Sequence, residues 1–232
     1  MTQDTTETPA HGFADRDAVA RYTDGPRRLV PGHDSLLVMT DLLLAEKLAD
    51  QGRVFVLGAG GGMEMAQFAR NHPGWRFVGV DPSAAMLELA VKTMGPTAER
   101  AELICGYVDD APMGPFDAAT CLLTLHFIPA VERLATLKAI RARLRSGAPF
   151  VCAHHSVSDD ADQRATWFTR FAAFAERSGV PPETARNAGA RIGAALPILS
   201  PAQDESLLYA AGFAKVQQFY AAFTFRGWVC EA

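Results

Sequence analysis

The stretch VFVLGAGGGMEM, from Val54 to Met65, runs four apolar strand-forming residues directly into a glycine-rich turn. Glycine adopts backbone conformations that other residues avoid, and it lets a ligand approach the main chain closely. The free N–H groups where a helix begins can bind a polar or anionic group. The stretch therefore predicts a strand, a ligand-binding turn and a helix in succession, although a turn that serves only packing is the alternative at this point.

The segments after this turn alternate between strand-like and helix-like patterns. Strands are predicted at 54–57, 76–80, 101–106, 116–123 and 148–155, and helices at 63–71, 83–94 and 130–144. Such alternation implies right-handed crossovers and a mostly parallel sheet that is buried on both faces. Two alternating runs, 216–223 and 225–230, predict a closing antiparallel hairpin. The predicted fold class is α/β: a Rossmann-like, doubly wound, mostly parallel seven-stranded sheet with an antiparallel terminal hairpin.

The chain has 232 residues, of which 49% are hydrophobic, and this suffices for one domain with a large core. We predict a mobile tail at 1–12 and a single domain at 13–232, with an N-terminal helical cap at 13–51. Helical patterns also fill 157–200, between the fifth strand and the hairpin. An insertion there lies over the carboxyl ends of the strands, where open α/β sheets bind ligands. We therefore interpret 157–200 as a helical lid.

Charge and composition exclude several classes of partner. The formal net charge is −4, and no basic run exceeds the pair Arg27 and Arg28, so nucleic acid is disfavoured as a partner. No apolar segment approaches the roughly 20 residues that span a bilayer, so we predict no membrane association. None of the four cysteines forms a C-x-x-C pair, and three lie in apolar runs, as expected of reduced core residues. The predicted location is the cytoplasm.

Asp81 indicates which kind of ligand the glycine turn binds. It ends the predicted second strand about 20 residues after the turn, where a carboxylate can accept hydrogen bonds from both hydroxyls of a ribose. This placement predicts a cofactor that contains a nucleoside. The dinucleotide pattern G-x-G-x-x-G counted from Gly58 requires a glycine at position 63, where this chain has Met63. NAD is therefore disfavoured.

Gly58, Gly60 and Gly62, followed by GVDPSAAML, CGYVDD and FDAATCLLTLHFIP, resemble the motifs of the class I S-adenosylmethionine (SAM)-dependent methyltransferases. The resemblance extends from about Phe13 to the end of the chain, and Val56 stands where these enzymes usually have an acidic residue. It implies SAM as cofactor and S-adenosylhomocysteine (SAH) as product. The cofactor-binding residues that it implies are Gly58, Ala59, Gly60, Asp81, Pro82, Met86, Tyr107, Val108 and Leu122.

The upstream stretch RYTDGPRRLVPGHDSLL resembles the branch that contains carboxy-SAM synthase, an enzyme of tRNA modification. The resemblance implies that His33 contacts the cofactor. Leu122 stands where that branch has an asparagine, and Ala194 where it has an arginine that holds the extra carboxylate, although Arg191 is close to that position. Ordinary SAM and an acceptor other than prephenate are therefore expected.

Histidines cluster where the fourth and fifth strands end. A methyl acceptor that must lose a proton requires a base, and the ordinary pKa of histidine suits that task. We assign His126 and His154 as catalytic candidates and His155 to substrate binding, with a structural role as the alternative for each. Successive strand residues point to opposite faces, so at most one of His154 and His155 faces the pocket. This alternation also argues against a metal site.

The remaining substrate-binding candidates lie in the cap and the lid. Tyr22 and Arg28 belong to a segment that often folds over the cofactor in the family, and an arginine there could hold the SAM carboxylate. Trp167 and Phe171 recur at helical spacing, as in a packed helix or an apolar acceptor pocket. The sequence thus predicts a SAM-dependent methyltransferase with a small-molecule acceptor. The alternatives are a carboxy-SAM synthase-like enzyme, a nucleotide-cofactor oxidoreductase and a non-catalytic SAM-binding sensor, and a homodimer is left open.

Overall fold

The computed structural model describes residues 25–232, except for the side chain of Arg191. Seven strands form one sheet in the order β3-β2-β1-β4-β5-β7-β6. The strands are β1 (Gly52–Leu57), β2 (Trp75–Asp81), β3 (Ala101–Cys105), β4 (Ala118–Leu122), β5 (Pro149–His155), β6 (Ala214–Ala222) and β7 (Phe225–Glu231). The first five are parallel, and β7 runs antiparallel between β5 and β6. The predicted fold class is confirmed.

The helices of the described residues cover both faces of this sheet. They are α1 (Gly25–Leu29), α2 (His33–Ala45), α3 (Met63–Asn71), α4 (Ala84–Met94), α5 (Ala130–Ala142), α6 (Ala161–Arg177), α7 (Pro182–Ala195) and α8 (Pro201–Ala210). Short 3₁₀ turns lie at Gly95–Arg100, Val108–Asp110 and Leu125–Phe127. No helix within residues 25–232 is long and apolar enough to cross a membrane.

Alternate residues of the central strands feed two separate hydrophobic layers. On β1, Val54 and Val56 join the layer beneath α2 and α3, whereas Phe55 and Leu57 join the layer beneath α5 and α8. This period of two is the geometry of a strand that is buried on both faces. On β5 the same alternation places His155 with the first layer and His154 with the second.

Two predicted boundaries differ from the structure for local reasons. The helical pattern predicted over 157–200 is interrupted after Ala195, where α7 ends, because Pro197 follows and Leu196 takes an extended backbone conformation. The strand predicted at 116–123 covers Ala118–Leu122, because Leu123 has a φ of 56° and turns the chain out of the sheet. The boundary predicted between residues 12 and 13 lies outside the described residues.

The segments that border the site are tied to the sheet and to each other. The Tyr220 hydroxyl on β6 donates a 2.5 Å hydrogen bond to the Pro31 carbonyl, which fixes the junction between α1 and α2. Two glycines of α7 face Phe168 on α6. A Cβ atom added at Gly189 would lie 3.3 Å from the Phe168 backbone oxygen, and one added at Gly193 would lie 3.3 Å from the Phe168 ring. These two glycines therefore let α7 pack closely on α6.

Candidate active site

The glycine turn has a backbone that only glycine adopts without strain. Gly58, Gly60 and Gly62 have φ values of 78°, 48° and 75°. A Cβ at Gly58 would lie 1.9 Å from Thr124 Oγ1, and one at Gly62 would lie 2.8 Å from Ala90 Cα. Real Cβ atoms do not come this close to other atoms, so the turn requires glycine at both positions.

Asp81 follows this turn at the carboxyl end of β2 and is bonded to it. Its Oδ2 accepts a 2.9 Å hydrogen bond from the Gly60 N–H, and its Oδ1 accepts one of 2.9 Å from the Ser83 N–H. Burial raises the pKa of Asp81, while these two N–H groups act in the opposite direction. Because each carboxylate oxygen has a second lone pair, the side chain can still accept two ligand hydroxyls.

A small cavity of about 40 Å³ lies against the glycine turn. Its walls come from the turn, from α1 and α2, and from the end of β4. The residues that line it are Pro26, His33, Leu36, Leu37, Gly58, Ala59, Gly60, Gly61, Met63, Glu64, Leu122 and Leu123. The cavity thus brings together His33, Gly58, Ala59, Gly60 and Leu122 of the predicted cofactor set. Burial lowers the pKa of His33, so its imidazole is neutral near pH 7.

The other predicted cofactor residues lie along the same edge of the sheet but outside this cavity. Gly106 donates its N–H to the Asp81 carbonyl at 3.1 Å, which places the ends of β2 and β3 side by side. Pro82 and Tyr107 are exposed there, and Val108 is half-buried. Met86 is buried in α4, and its N–H donates to Ser83 Oγ at 3.2 Å. These residues border an open surface beside Asp81 where a nucleoside base could lie.

A larger cavity of about 430 Å³ adjoins the first. It is lined by Gly25, Pro26, Leu29, Val30, Leu123, His126, Phe127, His155, Phe171, Ala188, Ile192, Leu196 and Phe225. Pro26 and Leu123 line both cavities. The volume lies in the range of small-molecule pockets, which are about 300 to 1,000 Å³. The walls are apolar except for two imidazoles.

His126 and His155 contact each other at the base of the larger cavity. The His155 backbone N–H donates to His126 Nδ1 at 3.3 Å, so neutral His126 carries its proton on Nε2. His155 Nδ1 lies 2.9 Å from the hydroxyl oxygen of Thr224, and its ring stacks on Phe225 with centroids 4.0 Å apart. Burial, with the neighbouring histidines, lowers the pKa of His126 well below its usual range and that of His155 to about 3. Both imidazoles are neutral at pH 7.

The catalytic assignment of His154 does not fit this arrangement. Its side chain lies on the opposite face of the sheet, where its ring tilts against Trp228 at a centroid distance of 5.4 Å. Its Nε2 lies 3.2 Å from Asp204 Oδ1, and Arg133 Nη1 lies 3.5 Å from the same oxygen. The physical reason is that successive residues of β5 point to opposite faces of the sheet. His155 therefore faces the cavity, and His154 faces the layer beneath α5 and α8.

Some of the predicted substrate-binding residues line the larger cavity and others do not. Phe171 is fully buried and lines the larger cavity beside His155. Trp167 lies one turn earlier on α6 but outside the lining, where Arg170 and Arg226 lie over its ring at 4.5 Å and 5.8 Å. Arg28 is exposed on α1 and does not line either cavity. Tyr22 lies outside the described residues.

Comparisons with known proteins agree with this geometry. Residues 54–147, which contain the glycine turn and Asp81, match a family model described as a methyltransferase domain. The chain thus contains the domain of a SAM-dependent methyltransferase. It is 27% identical to the carboxy-S-adenosyl-L-methionine synthase of Chromohalobacter salexigens, over 93% of this chain and 81% of that protein. It is 28% identical to the synthase of Pseudomonas fluorescens, over 97% of this chain and 94% of that protein.

Solved structures show the same fold at lower identity. An O-methyltransferase family protein from Burkholderia thailandensis superposes on 97% of this methyltransferase with a TM-score of 0.69 and 16% identity. Human N-acetylserotonin methyltransferase in complex with SAM covers 99% of it with a TM-score of 0.65 and 15% identity. This chain spans 62% and 60% of those two proteins, respectively.

SAM is the cofactor of this methyltransferase, and the residues present fit it. The glycine turn leaves the main chain open to a ligand, and Asp81 keeps acceptor capacity for a ribose. Two further residues, Leu123 and Glu64, line the small cavity. Leu123 holds a left-handed φ of 56° where the two cavities meet, and strained residues of this kind cluster at functional sites. Glu64 is an acidic residue on the apolar face of α3, and its burial is visible only in the fold.

Proposed function

We propose that this methyltransferase transfers the methyl group of SAM to a small, mainly apolar acceptor that binds in the larger cavity. The observation that carries the proposal is the pair of adjoining cavities, which share Pro26 and Leu123. One cavity lies on the glycine turn, and the other is large enough for a metabolite. A methyl donor in the first would reach an acceptor in the second without crossing solvent.

The walls of the larger cavity indicate the chemistry of the acceptor. Among the described residues that line it, none is Lys, Arg, Asp or Glu, so a charged acceptor would lose its hydration without gaining a partner. Phe127, Phe171 and Phe225 offer aromatic surfaces that suit a planar ring. His126 and His155 supply the polar groups, which suit one hydroxyl or amine. We expect an uncharged, ring-containing molecule with a single nucleophilic oxygen or nitrogen.

The residues of the cavity act mainly by position. SAM supplies an electrophilic methyl group when it is bound. Neutral His126 can donate from Nε2, while His155 is held by Thr224 and Phe225. Both imidazoles can orient the acceptor by hydrogen bonds, and the apolar walls exclude water. Their lowered pKa values make them weak bases, so proton removal to solvent after transfer fits better than strong base catalysis.

A labelling experiment tests the proposal. The protein is incubated with methyl-labelled SAM and a metabolite extract that is separated into charged and uncharged fractions. We expect label in an uncharged small molecule, and none when Phe225 is replaced by a charged residue that fills the cavity. Label in RNA or protein, or no transfer at all, would contradict the proposal, and SAM binding without transfer would support a sensor.

Carboxy-SAM synthesis is the second candidate, because relatives with that name align over more than 90% of this chain. The described lining of the larger cavity carries no arginine that would hold an extra carboxylate. Incubation with SAM and prephenate, followed by mass spectrometry of the cofactor, separates the candidates. We expect unmodified SAM, whereas a carboxylated product would favour the synthase. A cytoplasmic location and the absence of a nucleic-acid partner stay predictions from the sequence, and a homodimer stays open.

A further inference from the structure

Glu64 is a buried carboxyl group that the function proposed above does not use. It lies in the first turn of α3, its residue is 8% exposed, and it lines the small cavity at the glycine turn. One of its oxygens accepts a 2.5 Å hydrogen bond from the hydroxyl of Thr120, which is fully buried on β4. Thr120 therefore holds the carboxyl in place at the wall of the cavity.

Within the part of the chain that the structure describes, no positive charge lies beside Glu64. Among the described residues, those that line the small cavity include neither Lys nor Arg, and the burial of His33 keeps its imidazole neutral. Burial raises the pKa of Glu64 to about 7, and the hydrogen bond from Thr120 offsets only part of this effect. A carboxylate in such a place is costly unless a cation joins it. Among the described residues none supplies this cation, whereas a cationic ligand can.

SAM offers two cations, the sulfonium and the α-ammonium of its methionine moiety. The sulfonium carries the methyl group and must face the larger cavity, past Pro26 and Leu123. The α-ammonium is the cation that is free to enter the small cavity, where Glu64 is the carboxylate among the described lining residues. We propose that Glu64 binds the α-ammonium group of SAM. This inference rests on the proposed function, because it takes the direction of the sulfonium from it.

Calorimetric titration of Glu64→Gln tests the inference. Glutamine keeps the size of the side chain and can accept the Thr120 hydrogen bond, but it removes the charge. SAH carries the α-ammonium, whereas 5′-methylthioadenosine lacks the amino-acid end and keeps the adenosine. We expect SAH to bind about 10- to 100-fold more weakly to the variant, as for the loss of a charged hydrogen bond, and 5′-methylthioadenosine to bind as before. Glu132→Gln, in the exposed first turn of α5, is the matched control and should leave the affinity for both ligands unchanged.

The pH dependence of SAH binding gives a second readout. Because the bound state requires ionised Glu64, affinity should rise with pH up to about 7 and then level off. Burial lowers the pKa of His33 on α2, so His33 titrates at lower pH than Glu64, and burial raises the pKa of Cys121 on β4, so its thiol stays neutral. Asp81 lies on the adenosine side, so its titration would also affect 5′-methylthioadenosine. We expect the affinity for SAH, but not that for 5′-methylthioadenosine, to depend on pH in this way. The pH dependence should be lost in Glu64→Gln.

Thr120→Val is the alternative test variant if Glu64→Gln does not fold. It removes the hydrogen bond that lowers the pKa of Glu64, so the rise in SAH affinity should move to higher pH. An unchanged profile would contradict the inference. So would unchanged SAH affinity in Glu64→Gln, or equal losses for SAH and 5′-methylthioadenosine. Failure of SAH to bind the wild-type protein would instead overturn the cofactor site itself, and a wild-type protein that binds SAH without methyl transfer would overturn only the proposed function.

Discussion

Asp81 connects the glycine turn to the cofactor, because its carboxylate is bonded to Gly60 and can still accept ribose hydroxyls. Replacing it with alanine should weaken SAM binding by about 1.5 to 3 kcal/mol, as for a charge-assisted hydrogen bond. This corresponds to about one to two decades in the dissociation constant. Calorimetric titration of a folded Asp81→Ala variant measures the effect.

Asp117 provides the matched control for Asp81. It also accepts a backbone hydrogen bond, from the Arg53 N–H at 2.6 Å, but it lies where β1 and β4 begin, at the far end of the sheet. Asp117→Ala should therefore alter stability without altering SAM affinity. Wild-type SAM affinity in Asp81→Ala would show that Asp81 does not bind the ribose.

His155 makes the stability of the fold depend on pH. Its pKa is about 3 in the folded protein, against an ordinary value of 6.5, so the unfolded chain takes up the proton first. Its contribution is complete above pH 6.5 and falls as the pH drops from 6.5 towards 3. At pH 5 the loss is about 2 kcal/mol.

Denaturant unfolding of the wild type and of His155→Phe, at pH 7 and at pH 5, checks this effect. The variant should lose less of its stability on acidification than the wild type. Some pH dependence will remain, since burial also lowers the pKa of His126. An identical drop in both proteins would show that His155 does not titrate as the structure implies.

At the scale of elements, α6 forms one wall of the acceptor cavity through Phe171. The ring meets His155 edge-on with centroids 5.5 Å apart. Phe171→Leu removes this aromatic contact and should lower kcat/KM for the acceptor found by labelling about tenfold, with SAH affinity unchanged. Phe174→Leu is the control, because that ring contacts Phe223 instead of the cavity. Equal losses of activity would mean that α6 acts only through stability, and the lid function predicted for 157–200 would lose its support.

The sequence predicted the sheet and the glycine turn because both depend on local patterns. Periodicity gave the order of strands and helices, and the requirement for glycine at Gly58 follows from backbone sterics alone. The sequence predicted that His154 and His155 point to opposite faces of the sheet. It did not show which of them faces the cavity, because that depends on how β5 is placed in the sheet. Glu64 was missed because a helical pattern does not show that a carboxyl is buried beside Thr120, 56 positions along the chain.

At the scale of the whole molecule, the central claim is that the methyl donor and the acceptor occupy two cavities that meet at Pro26 and Leu123. Pro26 lies on α1 and Leu123 directly after β4, and residues of α6 and α7 line the larger cavity. A crystal structure of the complex with SAH tests the claim most directly. We expect the ribose hydroxyls to bind Asp81 and the sulfur to lie at the junction, facing the larger cavity. SAH bound elsewhere, or with its sulfur turned away from that cavity, would contradict it.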